Sequence, residues 1–156
     1  MIKEFIKSDT KKDLVIITNV EKNKFYEKLK EKTKFDEDKR IKFVGTVYDS
    51  DLLENIRKNA YGYLHGHEVG GTNPSLLEAL ATTKLNLLLD VSFNKEVAQN
   101  GAMYWNKEEN NLKQLLNKVE SISNEEIQAY SEKAKERIKE EYNWNKIIKK
   151  YEEIFN

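Results

Sequence analysis

Gly62-Tyr63-Leu64-His65-Gly66-His67-Glu68-Val69-Gly70-Gly71-Thr72-Asn73-Pro74-Ser75-Leu76-Leu77-Glu78-Ala79-Leu80-Ala81 decides how the rest of the chain reads. It holds both histidines, the only proline and four of the six glycines of a 156-residue sequence. In front of it, the apolar run from Ala60 to Leu64 reads as a short buried strand. Behind it, Leu76, Leu77, Leu80 and Ala81 recur at helical spacing. The stretch predicts a strand, a glycine-rich loop and a helix.

The start of that helix is well marked. Asn73 suits the N-cap, and Pro74 suits the first helical position, where a missing N–H costs nothing. The N–H groups of Ser75 and Leu76 are then left without partners inside the helix. Gly70 and Gly71 allow a ligand close to the backbone. Free amides at a helix N-terminus suit an anion such as a phosphate. Glu78 follows about one turn later, where a carboxylate can accept hydrogen bonds from a sugar hydroxyl. The plain alternative is a tight strand-to-helix turn with a well-capped helix and nothing bound.

Composition bounds the function. The chain carries 27 basic and 27 acidic side chains, so nothing favours binding nucleic acid by neutralising phosphates. It has no cysteine, hence no disulfide framework and no thiolate metal site. His65 and His67 have no third ligand spaced near them, so no metal is expected. No apolar run is long enough to span a bilayer, and nothing resembles a signal peptide. The expected location is cytoplasmic, with at most peripheral contact at the inner face of the cell membrane.

Around the central stretch, strands alternate with helices. Ile2, Phe5 and Ile6 mark a short helix. Leu14–Ile17 is a β-branched buried strand. Asn23–Thr33 places Phe25, Tyr26 and Leu29 on one helical face. Ile41–Val44 is a strand ended by Gly45. Asp49–Asn59 is a helix with Leu52, Leu53 and Ile56 inward and capping-box spacing at Asp51 and Glu54. After the central unit come a strand at Leu85–Leu89, helical turns at Phe93–Ala98 and a strand at Ala102–Trp105. Helices follow at Leu112–Val119, Glu125–Tyr142 and Trp144–Phe155, the last with Ile147, Ile148, Tyr151 and Ile154 on one face. This order predicts an α/β fold, a doubly wound parallel sheet, in a single domain over 1–156.

The order of elements and the central wording resemble the C-terminal, donor-binding half of a GT-B glycosyltransferase of family 4, a retaining group. Arg40-Ile41-Lys42-Phe43-Val44-Gly45-Thr46-Val47 resembles the strand that ends beside the nucleotide base. Asn73-Pro74-Ser75-Leu76-Leu77-Glu78-Ala79 resembles the donor-binding helix. Asp90-Val91-Ser92-Phe93-Asn94-Lys95-Glu96-Val97 and Tyr142-Asn143-Trp144 match later family segments. The wording from His65 to Pro74 is similar to bacterial rhamnosyltransferase-like members that build cell-surface polysaccharide.

The resemblance implies a nucleoside diphosphate sugar as donor substrate and no cofactor. It implies that Glu78 holds the ribose, and that Gly71, Thr72, Asn73, Pro74 and Ser75 line the diphosphate and sugar. Thr46 and Val47 would meet the base through main-chain bonds. Gly70 stands where the family often has a second glutamate, so Glu68 or His67 takes over the donor sugar contact. The family's opening strand and its diphosphate clamp have no counterpart, nor does the acceptor domain. The expectation is an N-terminally truncated half, inactive alone, whose partner is the missing N-terminal acceptor domain. Without the opening strand, Leu14–Ile17 is expected to pair directly with Ala60–Leu64. Two other classes compete with this reading: a non-catalytic α/β interaction module, which would need an acidic cluster at the strand ends, and a GT-B-type nucleotide-sugar epimerase.

Overall fold

The computed structural model describes residues 1–19 and 23–155. They form two compact units, Met1–Leu53 with Asn106–Ile122, and Glu54–Trp105 with Ser123–Asn156. All strand pairs are parallel, and helices lie in each crossover, the doubly wound α/β class expected from the sequence.

In the first unit, β1 (Leu14–Ile17) pairs with β2 (Ile41–Gly45), Leu14 opposite Ile41, with an irregularity between Ile16 and Ile17. Parallel pairing needs a crossover, here α2 (Lys24–Thr33) and the 3₁₀ turn Phe35–Glu37. Asn23 caps α2, its Oδ1 accepting from the N–H groups of Phe25 and Tyr26 at 3.0 Å each. Tyr26 then meets Phe35 and Phe43 edge-on, with ring centroids 5.4 and 6.1 Å away. Gly45 ends β2 at φ +79°, a left-handed conformation that favours glycine. In the same unit, α1 (Ile2–Ile6) packs on α6 (Asn111–Val119), and Phe5, Leu112, Leu115 and Leu116 are buried. Asp9 and Asn117 exchange two hydrogen bonds that hold the segment after α1 to α6, at 2.9 and 2.7 Å.

Two burial expectations fail in this unit, for Leu14–Ile17 and for Leu52. β1 is half-exposed, with Val15 at 47%, because a two-stranded sheet buried in alternation covers only one of its faces. Phe25, at 74% exposure, and Leu52 also face outward. α3 (Ser50–Asn59), which leads into the second unit, is capped by Asp49, whose Oδ1 accepts from Leu52 N–H at 3.0 Å. The cap therefore falls earlier than the Asp51–Glu54 spacing implied.

The second unit holds β3 (Tyr63–His65), β4 (Asn86–Leu89) and β5 (Met103–Trp105) in that order. β4 is central and buried at all four positions, Asn86 and three leucines, as a strand covered on both faces of a parallel sheet should be. α4 (Pro74–Thr82) and α5 (Ser92–Ala98) make the crossovers. Leu76 and Leu80 of α4, Leu88 of β4, and Val97 and Ala98 of α5 share one core with Ala134 of α7 (Asn124–Glu141). A capping box at Ser123 and Glu126 starts α7. The 3₁₀ turn Gln99–Gly101 passes so close to α7 that a Cβ on Gly101 would lie 2.7 Å from the Cα of Ala134. Backbone cannot swing aside there, so Gly101→Ala is expected to cost about 1–3 kcal/mol, readable as a lowered urea midpoint.

The expected pairing of Leu14–Ile17 with Ala60–Leu64 is not made. The strands fall into two sheets, and Ala60 to Gly62 lie outside β3. Each pairing that forms joins strands linked by one helical crossover; no crossover of that kind links β1 to β3. α8 (Trp144–Phe155) forms as expected. Ile148 and Tyr151 of its apolar face are exposed, while the side chains of Ile147 and Ile154 lie outside the described ones. Among the described residues, no helix is long and apolar enough to cross a membrane.

Candidate functional site

The loop from Gly66 to Asn73 sits between the end of β3 and the start of α4, at the carboxyl end of a parallel sheet, where open α/β sheets bind ligands. Asn73 is the N-cap and Pro74 opens the helix. Asn73 Oδ1 accepts from Ser75 N–H at 2.9 Å, and Asn73 O accepts from Leu76 N–H at 3.0 Å. The amides of Ser75 and Leu76, expected to be open to an anion, are thus already occupied by their own cap. Asn73→Ala should cost about 1 kcal/mol of stability through loss of this cap, measurable by thermal denaturation. The open amides lie one step earlier. Among the described residues, the N–H groups of Gly70, Gly71, Thr72 and Asn73 make no hydrogen bond, and Gly70 adopts φ +130°. His67, Glu68, Gly70, Gly71 and Thr72 are exposed.

Glu78 lies on α4 and is 55% exposed, but it is not a loose surface carboxylate. Arg57, from the last turn of α3 and nearly buried, donates from Nη1 to Glu78 Oε2 at 2.6 Å. Glu78 Oε1 makes no hydrogen bond among the described residues. Arg57 is itself anchored, since its carbonyl accepts from Thr83 Oγ1 at 3.1 Å. Nothing in the sequence marks Arg57, which reads there as one more cation on a charged helix.

Beside this pair, Tyr63 and His65 project from β3. Burial pushes the Tyr63 phenol above its ordinary pKa, opposed by the charge of Arg57. The Tyr63 hydroxyl lies 3.3 Å from His65 Nδ1. His65 is only 5% exposed. Burial first, and then His67, lower its pKa to about 4, so its ring is neutral at pH 7. The His65 and His67 rings stack, with centroids 5.7 Å apart and planes 20° from parallel. Asn94, in the first turn of α5 and fully buried, fastens the loop. Its Nδ2 donates to the carbonyls of Leu89 and His67 at 2.9 and 3.2 Å. Asn94 is the second residue that sequence reasoning passed over, since a lone asparagine in a helical turn carries no pattern.

The second unit therefore brings together His67, Glu68, Gly70, Gly71, Thr72, Asn73, Pro74, Ser75 and Glu78. Thr46 and Val47 follow β2 in the first unit, and their main-chain groups make no hydrogen bond among the described residues. No group of three His, Asp or Glu side chains among the described residues is placed to hold a metal ion. A separate groove of about 420 Å³ runs along α7, lined by Gln99, Tyr104, Glu126, Tyr130 and Lys133 among others. None of the loop residues reaches it.

No family model matches the sequence, and no curated protein does either. Among solved structures, the chain is similar to Anabaena Alr3699/HepE, whose crystal structure is a complex with UDP. The TM-score is 0.78 at 14% sequence identity, over 99% of this chain and 43% of that one. The chain thus spans less than half of that protein's length. The likeness is one of fold, an α/β architecture of the GT-B type.

Proposed function

We propose that this chain is the donor-nucleotide-binding half of a retaining glycosyltransferase of family 4. In this reading it binds a nucleoside diphosphate sugar and moves a hexosyl group, rhamnosyl in the narrower form, to a glycan or lipid-linked acceptor in cell-surface polysaccharide synthesis. One observation supports it above the others: a run of unpaired amides at Gly70–Asn73 stands before α4, with the Arg57-held carboxylate of Glu78 on the same helix. The fold likeness to a UDP-bound protein agrees with it.

The roles follow from the chemistry. The amides of Gly70, Gly71, Thr72 and Asn73 take the diphosphate, and Pro74 and Ser75 shape the helix start behind it. Glu78 Oε1 accepts from the ribose hydroxyls. In this reading His67 and Glu68 take the donor sugar, and the role of Thr46 and Val47 toward the base stays the one the sequence resemblance implies. Donors fixed before the reaction stabilise the charge of the departing diphosphate without reorganising. The acceptor side belongs to a separate domain, and the work takes place in the cytoplasm at the inner membrane face.

Calorimetric titration of the chain with UDP, GDP and dTDP is expected to show saturable binding of at least one. No heat from any of them at millimolar concentration would overturn the reading. With donor and acceptor both supplied, the chain by itself is expected to transfer no sugar.

A further inference from the structure

Two buried polar atoms beneath the β3–α4 loop have no partner: His65 Nε2 and Asn94 Oδ1. Both residues are more than nine-tenths buried. Leaving such atoms unmatched is costly, and folded proteins seldom tolerate it without a use.

The two belong to one place. His65 pairs with Leu88, so its side chain projects from the same sheet face as Leu88. That face is covered by α4 and α5, which pack Leu76, Leu80, Val97 and Ala98 on Leu88. Asn94 stands in the first turn of α5. Both residues also hold His67, Asn94 through the His67 carbonyl and His65 through the stacked ring. The other two unmatched atoms among the described residues lie elsewhere. Asn86 begins β4 at the opposite end of the strand, and Trp105 pairs with Leu89, on the opposite face.

Their chemistry is complementary. The His65 ring is neutral at pH 7, and in the tautomer in which Tyr63 O–H donates to Nδ1 across their 3.3 Å contact, the ring proton is on Nε2. Nε2 then donates and Asn94 Oδ1 accepts. A phosphate oxygen could satisfy the first but would repel the second. A hydroxyl satisfies both, since it accepts through its oxygen and donates its hydrogen.

We propose that His65 Nε2 and Asn94 Oδ1 form a hydroxyl-binding subsite, which takes one hydroxyl of the donor sugar. This rests on the nucleotide-sugar reading above. Access for a sugar requires the loop after β3, in which Gly70 and Gly71 are exposed, to move outward. A hydroxyl here could equally be that of a water molecule, and the experiment separates the two sources.

The test compares affinities for a nucleoside diphosphate and for its sugar conjugate. UDP, GDP and dTDP and their hexose conjugates are titrated into the wild-type chain, and the tightest pair is carried forward. His65→Phe keeps the ring stack and removes Nε2. His65→Gln places an amide N–H near the same point. The expected result is about a tenfold loss of affinity for the conjugate in His65→Phe, with affinity for the nucleoside diphosphate unchanged and partial recovery in His65→Gln. Equal affinities of His65→Phe and wild type for the conjugate would overturn the subsite and assign the two atoms to water. A parallel loss for conjugate and nucleotide would overturn it too, as a loop distortion. Failure of the wild-type chain to bind any nucleoside diphosphate would instead sink the parent reading, a separate outcome.

Discussion

Arg40→Met is expected to lower the stability of this protein by about 3 kcal/mol. The guanidinium serves four groups at once. Nη1 donates to the carbonyls of Ser8 and Thr10 at 3.0 and 2.7 Å, and Nη2 donates to Ile6 O at 3.2 Å. The fork closes on Asp38, with Nε to Oδ1 at 3.0 Å and Nη2 to Oδ2 at 2.7 Å. The plane also lies 5.0 Å from the Phe5 ring centroid. A methionine would fill the space and leave three carbonyls and a carboxylate without their donor. Urea denaturation followed by circular dichroism reads the loss, and a change below about 0.5 kcal/mol, the ordinary range for surface substitutions, would refute the assignment.

The same pair sets a pH dependence. Its hydrogen bonds to Arg40 hold the Asp38 carboxyl below the ordinary carboxylate range. Between that ordinary value and the lower folded one, the unfolded chain binds a proton that the folded chain does not. Stability from this pair is therefore complete above the ordinary range, about pH 4, and is lost as pH falls through the folded value. Arg40→Met should flatten that part of the stability profile. His65 adds a second slope at higher pH. Its lowered pKa of about 4 means that only the unfolded chain is protonated between there and the ordinary 6.5, so stability also falls on acidification through that window.

The second large effect is on binding. Glu78→Ala is expected to weaken nucleoside diphosphate affinity by about tenfold to a hundredfold, the equivalent of a charge-assisted hydrogen bond of roughly 1.5–3 kcal/mol. Stability should change far less, because the Arg57–Glu78 pair is half open to solvent on the glutamate side, and such pairs contribute about 0–1 kcal/mol. Arg57→Met tests the support. Releasing Glu78 from its 2.6 Å tether should reduce affinity by a smaller factor while leaving the carboxylate in place. Unchanged calorimetric affinity in Glu78→Ala would remove Glu78 from the ribose. A stability loss as large as the binding loss would show the glutamate to be structural.

What the sequence determined by itself was local. Asn73 and Pro74 mark the start of α4 because an N-cap and a first-turn proline act through neighbouring backbone alone. The apolar run Leu87–Leu89 is part of a buried central strand because three leucines in succession put apolar side chains on both faces of the sheet. Strands alternating with helices fixed the parallel α/β class, since parallel strands require crossovers. What only the tertiary structure decided depends on residues far apart in sequence. Arg57 meets Glu78 across 21 positions, and Asn94 ties down His67 across 27. Neither leaves a periodic trace, because a single polar contact between distant elements imposes no spacing on either. Strand pairing beyond one crossover was settled the same way: Leu14–Ile17 and Ala60–Leu64 look equally ready to pair, but backbone hydrogen bonds carry no residue code. In the folded chain the two belong to separate sheets, each strand paired with the one that a single helical crossover links to it.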